Sequence, residues 1–270
     1  MTTSRKEYDG VLRRQQRIWL ELLVKISLVG AIVALSFVLV GLLDLERISQ
    51  GIPDFFGMLA EMLPPDFTRA KDWIEPLIDT IAMSIAGTAL AIALSLHIAF
   101  LAAKNTTPHP VGFWIARMIL NITRAVPELI LGIILVAAVG FGTLPGVLAL
   151  GLHSVGMVGK FFAEAIEHTD EAPVEAARAV GANELQIIWH SILPQVFPQM
   201  ADVAFYRWEY NFRASMVLGA VGAGGIGFEI IGALRLLKYE EVSALLIVVL
   251  LMVTLVDTLS NFLREKFIEI

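Results

Sequence analysis

The chain contains no cysteine and few charged residues for its length. Its 270 residues include no Cys, and 17% are charged. Without cysteine there are no disulfides, no thiolate metal sites and no cysteine nucleophile. A soluble domain would be about a quarter charged and about half apolar, whereas this chain is 57% hydrophobic with a mean hydropathy of +0.73. The composition therefore indicates a membrane protein, in which the distribution of charge matters more than the net −6.

The sequence also lacks the usual signatures of a metal site or of nucleophilic catalysis. No HExxH or comparable spacing occurs, and no nucleophile is accompanied by a recognisable base and orienting group. A membrane-embedded hydrolase therefore ranks last among the functions considered, and no metal site is expected. The scattered histidines are interpreted as packing or interfacial residues; they are His97, His153 and His190.

Six apolar runs are each long enough to cross a bilayer, which needs about 20 residues. They span residues 20–43, 74–102, 113–139 (interrupted by the polar stretch 123–128), 144–163, 203–222 and 242–263. Backbone in hydrocarbon must satisfy its own hydrogen bonds, so these runs predict helices. The expected fold is an all-α polytopic membrane domain of six helices, covering residues 20–270 after an N-terminal segment of residues 1–19.

The distribution of Lys and Arg predicts the orientation. No small-residue cleavage site follows the first apolar run, so we interpret that run as a retained span. The segment before it is basic, whereas the loop at residues 44–73 is dominated by acidic residues. The positive-inside rule then places both chain termini in the cytoplasm and the acidic loop outside. The polar segment between the fourth and fifth runs (residues 170–194, hereafter the interspan segment) would face the cytoplasm.

The interspan segment reads as two short helices. We predict a helix at residues 172–180, capped by Asp170 or Thr169 and ended by Gly181. Asn183 is expected to cap a second helix in a capping box with Gln186, and two prolines, Pro194 and Pro198, are expected to end it. From these residues alone, an ordinary solvated loop remains an open alternative.

The interspan segment resembles the EAA motif of the permease subunits of bacterial ABC importers. The motif reads Glu-Ala-Ala, three residues, Gly, nine residues, Ile-x-Leu-Pro. One position departs from it, because Ser191 stands where the motif has Ile. The resemblance implies a type I, MetI-like importer domain in which this segment is a coupling helix that docks on an ATPase. The coupling residues it implies are Glu175, Ala176, Ala177, Gly181, Leu193 and Pro194.

A narrower resemblance is to the phosphonate-type permeases of the PhnE family. It is carried by TRAVPEL (residues 123–129), by YRWEYNFRASMVLGAVGAGGIG (residues 206–227) and by the interspan segment. It implies a homodimeric pore in the bacterial inner membrane, two ATPase subunits, an extracytoplasmic binding protein, and phosphonates or related anions such as phosphite as cargo. No cofactor is expected on this chain, since ATP and Mg would bind the ATPase, and no nucleic-acid partner is expected.

The absence of an ATP-binding loop agrees with ATP hydrolysis by a separate subunit, as the resemblance implies. No GxxxxGK[ST] sequence occurs, and the glycine-rich residues 219–227 lack the Lys and Ser/Thr that would hold phosphates and magnesium. We interpret that stretch as close helix packing or as a break in a span. Two alternatives stay open: an importer for another solute such as methionine, and an ion-coupled secondary transporter that uses Glu128, Glu209 or Asp257.

Charged residues inside apolar runs are expensive and are candidates for a translocation pathway. Arg117, Asn121, Arg124 and Glu128 are spaced to share one helical face. Glu209 and Arg213 form an i, i+4 pair of favourable polarity, and Arg207 shares another face with Asn211. Arginine forks match tetrahedral oxyanions. The predicted pathway residues are Asn121, Arg124, Glu128, Glu209, Asn211 and Arg213. Two alternatives remain open: Glu209 and Arg213 form a structural ion pair with each other, and Arg117 lies at the membrane surface.

Overall fold

The computed structural model describes residues 2–268, with side chains from residue 14 to residue 267. The described residues are helical with no strand, which confirms the all-α prediction. They fall into two units, residues 2–60 and residues 61–268, which are described separately.

The first unit holds one apolar helix and one amphipathic helix. Helix α1 covers Thr2–Val40, and its stretch Arg14–Val40 has the length and hydropathy of a membrane span. Gly41 ends α1 with a φ of +74°, a value that glycine adopts without strain. Helix α2, Leu45–Glu61, begins where Asp44 accepts a hydrogen bond from the amide of Arg47. The prediction of a plain loop here was wrong, because apolar residues recur every three or four positions from Leu45 to Leu59.

The second unit contains nine α-helices within the described residues. They are α3 (Ile74–Ala102), α4 (Pro110–Ala125), α5 (Glu128–Val139), α6 (Thr143–Glu167), α7 (Glu171–Ala179), α8 (Glu184–Ile187), α9 (Leu193–Leu218), α10 (Ile226–Arg235) and α11 (Tyr239–Ile268). Four helices of the chain could each cross a membrane singly. The count rises to six if the bent pairs α4–α5 and α8–α10 are each one span, which agrees with the six apolar runs.

Helices α3 and α6 pack closely because small residues line their contact. A Cβ on Gly87 would lie 2.8 Å from the Cβ of Leu150, and a Cβ on Gly151 would lie 2.6 Å from a methyl carbon of Leu90. Small residues allow helix backbones to approach in membranes, where lipid gives no hydrophobic drive for association. The α3–α6 pair therefore forms the centre around which the other helices of this unit are arranged.

The third apolar run breaks at Val126 and Pro127, where α4 and α5 meet at 85°. Proline ends α4 because it has no amide hydrogen and restricts the residue before it. The predicted interruption is thus confirmed. The prediction that Glu128 shares a helical face with Asn121 and Arg124 was wrong, because the bend turns α5 away from the axis of α4.

The glycine-rich residues 219–227 form both a break and a close contact. Gly222, Gly224 and Gly225 have φ of +104°, +77° and +70°, and the chain bends there by 58° into α10. A Cβ on Gly227 would lie 1.8 Å from the carbonyl oxygen of Met216. Only glycine fits this contact, so the two interpretations made from the sequence both hold.

A short segment, residues 62–73, is fastened to the start of α11. The Arg69 guanidinium lies 2.7 Å from Glu241, and the amide of Asp66 donates to the carbonyl of Glu240 at 3.0 Å. A hydrogen bond from the backbone amide of Thr68 holds the pKa of the Asp66 carboxyl below its usual value. The hydrogen bond to Asp72 raises the pKa of Arg69. This segment therefore caps the end of the bundle opposite the interspan segment.

Candidate functional site

The first helix of the interspan segment has the predicted caps. Asp170 Oδ1 accepts from the amide of Ala172 at 3.1 Å, so Asp170 rather than Thr169 is the cap of α7. Gly181 follows the helix with a φ of +83°, and the amide of Ala182 returns to the carbonyl of Ala177 at 3.1 Å. Glycine is needed for this left-handed turn.

The second helix begins as predicted and ends differently. Asn183 and Gln186 form a reciprocal capping box with both hydrogen bonds at 2.9 Å. The predicted end at Pro194 and Pro198 was wrong, because the chain stays helical through a π-turn at Ile188–Ile192 into α9. Pro194 has no amide hydrogen, and the wider turn before it lets the hydrogen-bond ladder adjust. The interspan segment is therefore continuous with a membrane helix.

The six residues that match the EAA motif fall on two sides of the interspan segment. Glu175, Ala176, Gly181 and Pro194 are exposed, whereas Ala177 and Leu193 are half-buried and pack against the bundle core. Val174, Ile187 and Ile192 anchor the segment in that core. The predicted Ile position is filled by Ser191, and Ile192 beside it provides the buried contact.

Three large apolar side chains of this polar segment are exposed, among them Trp189 at 67%. Val180 is 84% exposed and Leu185 is 78% exposed. Sequence reasoning missed both, although their position on either side of the Gly181 turn was a usable signal.

The residue that ends α6, three positions before the interspan segment, is hydrogen-bonded to α4 and to the end of α3. Glu167, the last residue of α6, accepts from the amide of Lys104 and from Arg117 Nη2, both at 2.9 Å. Arg117 Nε also donates to the carbonyl of Ala102 at 2.8 Å. These bonds tie α3 and α4 to the point where the interspan segment begins, so Arg117 has a structural role here.

The alternative in which Glu209 and Arg213 pair with each other was wrong, because each residue pairs with α11. Arg213 Nη1 lies 2.9 Å from Asp257, and Arg264 Nη2 lies 3.0 Å from Glu209. These contacts favour a packing role for Glu209 and Arg213. Pairing between α9 and α11 neutralises the two charged side chains that each of these helices contributes, which lowers the cost of placing them in a membrane.

A buried polar network crosses the middle of the bundle. Asn211 is fully buried; its amide nitrogen donates to Thr88 at 2.9 Å and its oxygen accepts from Ser154 at 3.1 Å. Arg207 Nε donates to the same Ser154 hydroxyl at 2.8 Å. The network joins α3, α6 and α9. Sequence reasoning placed Arg207 and Asn211 on one face of α9 but gave no sign of Ser154.

The network continues to the α4–α5 break through Glu128. Tyr210 donates to Glu128 Oε1 at 2.6 Å, and His153 Nε2 lies 3.2 Å from Glu128 Oε2. The other imidazole nitrogen of His153 donates to the carbonyl of Val126 at 2.9 Å. Glu128 is thus held by side chains of α6 and α9. Asn121 and Arg124 are exposed on α4, apart from this network.

The described residues contain no group of three or more His, Asp or Glu side chains arranged to hold a metal ion. A cavity of about 250 Å³ lies against α7 and is lined partly by Glu167, Glu171 and Glu175. The geometry is that of a helical membrane domain with an exposed polar segment, and the described side chains contain no arrangement of a nucleophile with a base and an orienting group.

Comparisons with known proteins identify the class. Residues 95–268 match the family described as binding-protein-dependent transport system inner membrane component. The chain is 62% identical to the phosphite transport system permease protein PtxC of Stutzerimonas stutzeri, over 97% of this chain and 95% of that protein. It is 39% identical to the phosphate-import permease protein PhnE of Mycolicibacterium smegmatis, over 87% of this chain and 43% of that protein.

Among solved structures, an inward-facing MetNI methionine ABC transporter matches with a TM-score of 0.63 and 19% identity, over 72% of this chain and 95% of the matched chain. That likeness shows the MetI-like fold alone. The chain belongs to the family of binding-protein-dependent transport system inner membrane components. The resemblance to the phosphonate-type permeases of ABC importers, predicted from the motifs, is confirmed.

Proposed function

We propose that this chain forms the membrane pathway of an ABC importer for a phosphorus oxyanion, with phosphite as the foremost substrate. The observation that carries the proposal is the 62% identity to a phosphite permease along nearly the full length of both chains. The second relative is named as a phosphate-import permease. Phosphite, phosphate and phosphonates share a tetrahedral phosphorus centre with anionic oxygens, so the same hydrogen-bond donors and positive charges in the pathway suit all three.

The partners follow from the interspan segment and the family. Two copies of this chain would form the pore, two ATPase subunits would bind the interspan segments, and an extracytoplasmic binding protein would deliver the anion. The exposed Glu175 and Gly181, with Val180 and Leu185 beside them, form the docking surface in this proposal. The interspan segment and both termini then lie in the cytoplasm of a bacterial cell, and ATP with Mg binds only the ATPase.

The connection of α7 to the membrane helices supports the proposal that force from the ATPase is transmitted into the membrane through the interspan segment. A pull on α7 passes through the Gly181 turn to α8, which continues through the π-turn into α9 without a break. It reaches α3 and α4 through Glu167 and Arg117. Closure of the ATPases upon ATP binding would therefore move several helices together and switch the pathway between inward-facing and outward-facing states.

The test is ATP turnover in proteoliposomes that contain this chain, its ATPase and its binding protein. Phosphite, phosphate, a phosphonate and methionine are each supplied with the binding protein. We expect stimulation by the phosphorus oxyanions, with phosphite the most effective, because loaded binding protein drives ATPase closure. Stimulation by methionine alone would refute the substrate assignment and favour the amino-acid alternative.

A further inference from the structure

Arg207 is an arginine almost completely enclosed by protein. It is 1% exposed, on the α9 helix in the middle of the polar network. Its Nε donates to Ser154 at 2.8 Å, and its Nη1 lies 3.3 Å from the sulfur of Met157, a weak acceptor. Its Nη2 is buried and has no hydrogen-bond partner within the described part of the chain.

Arg207 also makes no ion pair, unlike three other arginines of the apolar helices. Arg117, Arg213 and Arg264 each lie within 3.0 Å of a carboxylate oxygen. For Arg207, no carboxylate of the described residues lies within the 4.0 Å of an ion pair. The face of the Tyr210 ring, 4.2 Å from the guanidinium carbon, gives a cation–π contact, which offsets only part of the cost of burying the charge.

The nearby acid of the network is held by other groups. One oxygen of Glu128 accepts from the Tyr210 hydroxyl and the other lies against His153. Tyr210 bridges Glu128 and Arg207, because its ring lies on the guanidinium and its hydroxyl donates to the carboxylate. Arg207 thus keeps one free donor and has no ion-paired carboxylate, so it can bind an additional anion once there is space beside Nη2.

We infer that Arg207 is the residue of the membrane domain that binds the transported oxyanion, through Nη2 and the charge of the guanidinium. The inference rests on the proposed function, because it identifies where on the pathway a phosphorus oxyanion is held. A guanidinium binds tetrahedral oxyanions through charge-assisted hydrogen bonds. Arg207 is enclosed in this conformation, so the site opens when α9 separates from α6 during the transport cycle.

The test compares Arg207→Met with Arg213→Met in the fully assembled complex. Phosphite uptake into proteoliposomes is measured with the ATPase, the binding protein and ATP, and the melting temperature of the detergent-solubilised complex is measured in parallel. For Arg207→Met we expect uptake to fall at least about tenfold, the loss typical of a charge-assisted hydrogen bond. Its melting temperature should stay the same or rise, because an unpaired buried charge has been replaced by an apolar side chain of similar length.

The control should behave in the opposite way. Arg213→Met leaves Asp257 without its partner, so its melting temperature should fall while uptake per assembled complex stays within about twofold of wild type. Wild-type uptake by Arg207→Met would overturn the inference. So would a loss of uptake that only parallels a loss of folded complex, since that outcome indicates a structural role.

A second variant keeps the inference testable if Arg207→Met does not assemble. Arg207→Lys keeps the charge but lacks the planar fork, so we expect an assembled complex with clearly reduced phosphite uptake. Normal uptake by Arg207→Lys, with no assembly of Arg207→Met, would mean that the charge is needed for folding only. If the wild-type complex takes up no phosphorus oxyanion, the proposed function itself fails, whatever the variants do.

Discussion

Arg213 on α9 and Asp257 on α11 form an ion pair with 2.9 Å between Nη1 and Oδ1. Both side chains are partly exposed within the single chain, and both lie in helices that cross the membrane. Each charge removes the cost of the other in an environment that penalises unpaired ions. The pair therefore fixes the position of α11 against α9.

A charge swap tests this contact. Arg213→Asp and Asp257→Arg each place two like charges together and should lower the thermal midpoint of the detergent-solubilised protein. The double variant restores an opposite pair and should recover most of the loss, with a coupling free energy of about 1–2 kcal/mol. Thermal unfolding of the four proteins gives this value directly. Additive effects of the two changes would mean that the residues do not interact.

The sequence predicted local contacts between residues better than distant ones. The capping box of Asn183 and Gln186 was predicted because both partners lie within one helical turn. The partners of Glu209 and Arg213 were not, because they lie 55 and 44 positions away on α11. An i, i+4 spacing is attractive only while no tertiary partner offers a better contact.

Helix α10 depends on a close backbone contact at its first turn. The α-carbon of Gly227 faces the Met216 carbonyl, and an added Cβ would be only 1.8 Å from that oxygen. Five positions later in the same helix, Gly232 has open space where a Cβ would be placed. The two glycines therefore provide a matched comparison of packing against helix propensity.

We expect Gly227→Ala to lower the free energy of unfolding by about 2–3 kcal/mol, because backbone must move to admit the methyl group. Gly232→Ala should have no effect or stabilise by up to about 1 kcal/mol, since alanine is the better helix former. Thermal unfolding of both variants in one detergent checks this. Equal effects of the two substitutions would contradict the close contact at Gly227.

At the scale of helices, hydropathy predicted the spans but not the shorter elements. The six apolar runs correspond to α1, α3, α4–α5, α6, α9 and α11 because a bilayer demands long apolar helices. Helix α2 was not predicted, because the acidic residues of this stretch are typical of a loop and interrupt its apolar spacing. The π-turn before Pro194 was missed because proline usually ends a helix, and here the hydrogen-bond ladder widened instead.

At the scale of the whole molecule, the two ends of the bundle differ in structure. One end carries the interspan segment, rooted in α3, α4 and α6 through Glu167 and exposing Glu175, Val180 and Leu185. The other is capped by residues 62–73, held to α11 through Arg69. This polarity supports the proposed function, in which the anion enters at one end and the ATPase binds at the other. The interspan segment was predictable from its motif, whereas the buried network around Arg207 required the tertiary structure.

The most direct test of the central claim is phosphite uptake into proteoliposomes with and without the ATPase partner. We predict uptake only when the ATPase, ATP and the loaded binding protein are all present. Glu175→Lys should reduce uptake at least about tenfold by reversing the charge on the docking surface. Glu265→Lys, an equal charge change on α11 outside the interspan segment, should stay near wild type. Phosphite accumulation by this chain alone, driven by a proton gradient, would contradict the account.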